Sequence, residues 1–146
     1  MSERQETVLV VDDQRDSLQL LTNTLEQAGI RVLIAASGEA ALEVLQRIVP
    51  DLILMDAVMP GLDGFETTVQ IKKDPALAHI PVIFMTGLTE SEHVVEAFEV
   101  GGVDYVRKPA NIAELIARVR VHMANARAMQ ASLAGLDATG RLMMAT

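Results

Sequence analysis

Asp12 with Asp13, Asp56, Thr86 and Lys108 each follow a short apolar run, directly or after one residue. Together they offer three carboxylates, a hydroxyl and an amine. Carboxylates gathered in one place repel, and at least one pKa must then rise. A hard divalent cation relieves that repulsion, and one or two carboxylates plus water suit Mg2+. With the charge balanced, a carboxylate can act as a nucleophile toward phosphorus and become an aspartyl phosphate. Phosphoryl transfer asks mainly for positioning and charge neutralisation, so the metal, Lys108 and Thr86 could each hold one phosphoryl oxygen. No histidine base is required, because an ionised carboxylate is already the attacking species. Taken singly, these residues have ordinary uses. Asp12–Asp13 can form a turn and cap a helix, and Thr86 can open a turn with Gly87. Asp56 and Lys108 can be solvated loop residues. Their joint placement at four strand ends is what separates a site from a coincidence.

The elements that must position them can be read from the apolar pattern. Thr7–Val11, Arg31–Ala35, Asp51–Met55, Pro81–Met85 and Val103–Val106 are runs of strand length rich in Val, Ile, Leu or Met. Near-continuous hydrophobicity predicts strands covered on both faces, as in a parallel sheet. Between them the period is helical. Leu18, Leu21, Leu25 and Ala28 are followed by Gly29, and Ala41, Leu45 and Ile48 sit between a Ser37 cap and Pro50. Val94 and Phe98 repeat the pattern before Gly101–Gly102. Strand then helix, five times over, predicts a doubly wound α/β domain with right-handed crossovers. Sites in such sheets lie outside the carboxyl ends of the strands, which is the rim these residues occupy.

Composition narrows the class. Half of the 146 residues are hydrophobic, enough for a single folded domain, and the formal charge of -8 disfavours nucleic acid as a ligand of this surface. The chain has no cysteine, hence neither disulfides nor thiolate metal sites. Its apolar runs are too short to span a bilayer, and Met1–Glu6 carries no apolar leader. A cytoplasmic protein without membrane contact is expected.

The runs Val10-Val11-Asp12-Asp13, Leu54-Met55-Asp56-Ala57-Val58-Met59-Pro60-Gly61-Leu62-Asp63-Gly64, Met85-Thr86-Gly87 and Asp104-Tyr105-Val106-Arg107-Lys108-Pro109 closely resemble the response-regulator receiver family of two-component signalling. The resemblance extends in unbroken order from about residue 6 to residue 122. It implies a flavodoxin-like sheet of order 2-1-3-4-5, the order of the chemotaxis receivers. It implies Asp56 as phosphoacceptor, and Mg2+ held by Asp13, by Asp12 partly through water, by Asp56 and by the Val58 backbone carbonyl. Thr86 and Lys108 would contact the phosphoryl group, and the Lys108–Pro109 peptide would be cis. Tyr105 would turn inward as Thr86 moves, while Asp63–Gly64 would shape the loop after the third strand. The partners implied are a sensor histidine kinase or phosphotransfer protein on one side and an output domain or effector on the other. Such a domain is a signal acceptor that catalyses its own phosphorylation and dephosphorylation, not an enzyme turning over an external substrate. Val58 and Leu88 flank the family's route for hydrolytic water, and both are apolar here. Slow autodephosphorylation is expected.

Two other readings use the same residues. A haloacid-dehalogenase-like phosphatase would want a second Asp two residues after the nucleophile, where this chain has Val58, and a cap domain that it does not offer. A receiver-like module without chemistry would not need all five site residues.

The receiver is expected to span 7–122, after a tail of 1–6. The segment 123–146 then reads as a helical linker and the start of a truncated output domain. Leu115, Val119, His122, Ala126, Met129, Leu133 and Leu136 alternate spacings of four and three, a heptad-like seam. Its first half would pack on the sheet, and its second half would serve a homodimer or a domain link. Gly140-Arg141-Leu142-Met143-Met144-Ala145-Thr146 resembles the opening strand of a further domain. Ala110 stands where some DNA-binding subfamilies carry Phe, which puts the dimer face of those subfamilies in doubt.

Overall fold

The computed structural model describes residues 5–87, 91–108 and 111–139, and their side chains except at 91–92 and 133–139. Five strands, β1 (Thr7–Val11), β2 (Arg31–Ala35), β3 (Leu52–Asp56), β4 (Val82–Thr86) and β5 (Asp104–Arg107), alternate with five helices. The helices are α1 (Arg15–Gln27), α2 (Gly38–Leu45), α3 (Gly64–Lys73), α4 (Ser91–Glu99) and α5 (Ile112–Thr139). The strands form one sheet in the order β2-β1-β3-β4-β5, and every neighbouring pair is parallel. The fold class and strand order are those expected.

Alternation along each strand divides the interior into two cores. Leu9, Val11, Ile53, Met55, Val82 and Phe84 face Ala41 and Leu45 of α2, Phe65 and Ile71 of α3, and Ala97 of α4. Val8, Val10, Leu52, Leu54, Ile83, Met85 and Val106 face Leu18, Leu21 and Leu25 of α1, and Leu115, Val119 and Met123 of α5. Both faces of the central strands are therefore covered, which is why their sequences lack a polar side.

The boundaries differ from the sequence reading in physical ways. β3, β4 and β5 start and end one residue later, because Asp56 and Thr86 still pair in the ladder with Met85 and Arg107. Ile48 lies beyond the end of α2 and is 38% exposed. Among the described side chains of α4 the buried one is Ala97, whose small size lets the helix approach the sheet, while Phe98 is half exposed. The packing line of α5 runs Leu115–Val119–Met123 at spacings of four. His122 leaves the expected seam and bonds through Nε2 to Asp104 Oδ2 at 2.9 Å, beside Arg118 on the same carboxylate. Met129 is exposed, and the side chains of Leu133 and Leu136 lie outside the described ones. So does the whole of 140–146, the expected opening strand. No helix among the described residues is long and apolar enough to cross a membrane.

Candidate functional site

The rim at the carboxyl ends of β1, β3, β4 and β5 gathers the residues singled out by type and spacing. One oxygen from each of Asp12, Asp13 and Asp56 falls within 4.8 Å of the others. The parallel register brings them there, since Val11 at the end of β1 pairs with Met55, just before Asp56. Lys108 arrives from β5, and its N–H is tied to the Thr86 carbonyl at 3.0 Å. Its Nζ lies 2.6 Å from Asp12 Oδ2 and 3.5 Å from Asp56 Oδ2. Asp13, Asp56, Val58, Met59, Thr86 and Lys108 line one open cleft of about 630 Å³.

Burial is uneven across the cluster, and so is charge. Asp12 is fully buried, Asp56 and Thr86 nearly so, and Asp13 is exposed. Burial alone would push Asp12 up, but bonds from Lys108, from Ser17 and from the Gln14 N–H at 2.9 Å outweigh it. Asp12 is held below the usual carboxylate range. Asp56 goes the other way. Burial pushes it up to about 6, against the pull of Lys108 and with the repulsion of Asp12 added. Its Oδ1 accepts the Val58 N–H at 3.3 Å. Perturbed and unlike pKa values in one cleft are typical of functional clusters.

The loop after β3 owes its path to the start of α3. Asp63 caps that helix: its side chain accepts the Glu66 N–H at 2.8 Å, and the Glu66 side chain accepts the Asp63 N–H at 3.0 Å. Gly64 lies so close to β3 that an added Cβ would stand 2.2 Å from the Asp56 carbonyl oxygen. Asp63 and Gly64 thus begin a helix as well as shape a loop. The capping-box spacing Asp63–Glu66 was the available sequence signal. Tyr105 pairs in register with Phe84, and packs half-buried against the core on that side. Pro109 and Leu88 lie outside the described residues, so the expected cis peptide and half of the expected water route do too. Ser17, Gln14 and Glu39, which contact the site or its loop, were not singled out by type or spacing.

The donor set fits a hard divalent cation: three carboxylates supply only oxygen, and the cleft leaves room for water. The chemistry open to such a site is the approach of an anionic group toward a buried carboxylate, with a lysine beside it.

The family model for the response regulator receiver domain matches residues 8–120. A curated protein of Vibrio cholerae serotype O1, named "Probable cyclic di-GMP phosphodiesterase", is 45% identical over 121 residues, which are 83% of this chain and 27% of that protein. The response regulator PleD of Caulobacter vibrioides is 39% identical over 113 residues, 77% of this chain and 25% of PleD. The chain thus spans about a quarter of the length of these two relatives. The crystal structure of the chemotaxis protein CheY4 of Vibrio cholerae aligns at 31% identity with a TM-score of 0.77, covering 80% of this chain and 98% of that one.

Proposed function

Because this chain belongs to the response-regulator receiver family, we propose that it is switched by transfer of a phosphoryl group from a histidine kinase or phosphotransfer protein onto Asp56. The observation that carries the reading is the meeting of Asp12, Asp13 and Asp56 within 4.8 Å, with Lys108 at hydrogen-bond distance from one of them. Asp13, Asp56 and the Val58 carbonyl, with Asp12 partly through water, would hold Mg2+. When bound, the cation neutralises the charge that would otherwise repel an anionic phosphoryl group. A carboxylate oxygen of Asp56 forms the new O–P bond as the P–N bond to the donor histidine breaks. The leaving imidazole keeps the electron pair and takes a proton. Lys108 Nζ neutralises one phosphoryl oxygen, and the Thr86 hydroxyl, on the same cleft, donates to another. Tyr105 packs inward once Thr86 has moved.

The domain consumes the phosphoryl group stoichiometrically and so acts as a signal acceptor rather than a turnover enzyme. Residues 7–122 form the receiver, and 123–146 lead toward an output domain or effector. The second half of α5 provides the surface for a domain link or a homodimer. The phosphodiesterase name of one relative makes an enzymatic output domain the first kind to look for. The formal net charge of -8 disfavours nucleic acid as a partner of this segment; we place the protein in the cytoplasm.

Intact mass after incubation with Mg2+ and acetyl phosphate tests the chemistry. One added phosphoryl group, absent without Mg2+ and absent in Asp56→Asn, is the expected result. No addition to a folded chain that binds Mg2+ would refute it.

A further inference from the structure

The geometry points to Glu39 as a positioning residue of the acidic site, one that tunes cation binding without touching the cation. This rests on the reading above that the site holds Mg2+.

Val58, Met59 and Pro60 wall the cleft, at the start of the loop that runs from Ala57 to Gly64. Its two ends are fixed close to the sheet: the Val58 N–H donates to Asp56 Oδ1 at 3.3 Å, and the Gly64 N–H to the Ala57 carbonyl at 3.0 Å. Its middle turns at Pro60–Gly61. Gly61 adopts a φ of 73°, the left-handed value that the third position of a type II turn requires. The next N–H, that of Leu62, donates to Glu39 Oε2 at 3.3 Å. The same carboxylate oxygen would stand 3.1 Å from a Cβ added at Gly61. Glu39 therefore lies against the apex of the turn, reached from α2 across 23 residues of sequence.

Its mount is rigid. Ser37 caps α2 by accepting the Ala40 N–H at 3.0 Å, and Gly38 is packed so tightly that an added Cβ would meet Thr67 Oγ1 at 2.2 Å and the Leu62 carbonyl oxygen at 2.8 Å. From Glu39 the connection passes through Leu62 and the turn to Val58. The Val58 N–H holds the proposed phosphoacceptor, and its carbonyl is a proposed cation ligand. Removing the acceptor returns the Leu62 N–H to water and frees the turn. Binding a cation then has to order that turn again, and the affinity falls by the cost of doing so.

Glu39 also carries a charge, which at this exposed position is screened by solvent and salt. Two variants separate the effects, since Glu39→Gln loses the charge but keeps an acceptor and Glu39→Ala loses both. The full chain would be titrated with Mn2+, free ion being read by electron paramagnetic resonance, with Mg2+ as competitor. The amide resonances of Val58 and Leu62 would be followed by NMR in EDTA. Glu39→Ala should weaken cation binding about two- to fivefold, the worth of one solvent-shared hydrogen bond. It should shift both amides in EDTA, while Glu39→Gln stays near the native protein in both measurements. Native affinity in Glu39→Ala overturns the inference. Equal weakening in both variants overturns it in favour of charge acting through space. If the native chain binds neither ion, the cation reading fails, and the metal-free spectra decide the loop claim: a Val58 amide unmoved by Glu39→Ala refutes it.

Discussion

Replacing Asp56 by Asn should stabilise the metal-free protein, although it abolishes the proposed phosphorylation. Asp56 is 5% exposed, and burial lifts its pKa from 3.8 to about 6. The folded protein thus holds this proton more tightly than the unfolded chain. The stability so gained is complete below pH 3.8 and is lost as pH rises through about 6. That displacement corresponds to roughly 3 kcal/mol between the charged and neutral forms. Asparagine keeps the shape and removes the charge at every pH. It does not recover the whole amount, because its single carbonyl oxygen cannot serve both the Val58 N–H and the Lys108 ammonium. A gain of about 1–2 kcal/mol at pH 7.5 in EDTA follows, a rise in Tm of several degrees for a domain of this size. Urea denaturation at pH 7.5 and at pH 4 should show the gap open at the first and nearly closed at the second. Saturating Mg2+ should narrow it at pH 7.5 by stabilising the native protein more than the variant. Equal midpoints in EDTA at pH 7.5, or a gap of the same size at both pH values, would refute the reasoning.

Val58 is 55% exposed on the wall of the cleft, so Val58→Asn places a polar group beside the proposed path of hydrolytic water without filling the core. The lifetime of the phosphorylated protein, followed by intact mass after removal of acetyl phosphate, should shorten severalfold, and an unchanged lifetime counts against the apolar barrier. Gly64→Ala forces a methyl group to within 2.2 Å of the Asp56 carbonyl oxygen, so backbone must shift. A loss of about 2 kcal/mol or more in urea denaturation is expected, together with slower phosphoryl uptake, and a native midpoint would contradict the packing at that glycine.

The carboxylates, Thr86 and Lys108 could be placed on one rim because the apolar runs of β1, β3, β4 and β5 give way to polar residues there. A run such as Leu52–Met55 can only be buried, and the first polar side chain after it must stand at the rim. The same rule misplaced three strand ends by one residue, since Asp56 and Thr86 are polar yet buried and still paired in the ladder. Helix α3 hid its inner face behind Gly64, Thr67 and Thr68, which are buried but do not read as an apolar stripe. On α4, size misled the reading: small Ala97 faces the sheet and large Phe98 faces out. His122 fell on a heptad seam by spacing, but the buried line runs through its neighbour Met123, and His122 meets the carboxylate of Asp104 instead. Glu39 had no local signal at all, because its bond joins two elements that only the fold brings together.

Helix α5 has 28 residues, and among the described side chains its last buried one is Met123. At 1.5 Å per residue the sixteen residues from there to Thr139 reach about 24 Å further along the axis. A lever is thereby fixed at one end to the same sheet that carries the acidic cleft. Rotation of the packed half by about 5° would carry the far end roughly 2 Å, a gain set by helix length alone. A partner docked near Thr139 would meet small adjustments of the packed half as movements large enough to make or break a contact.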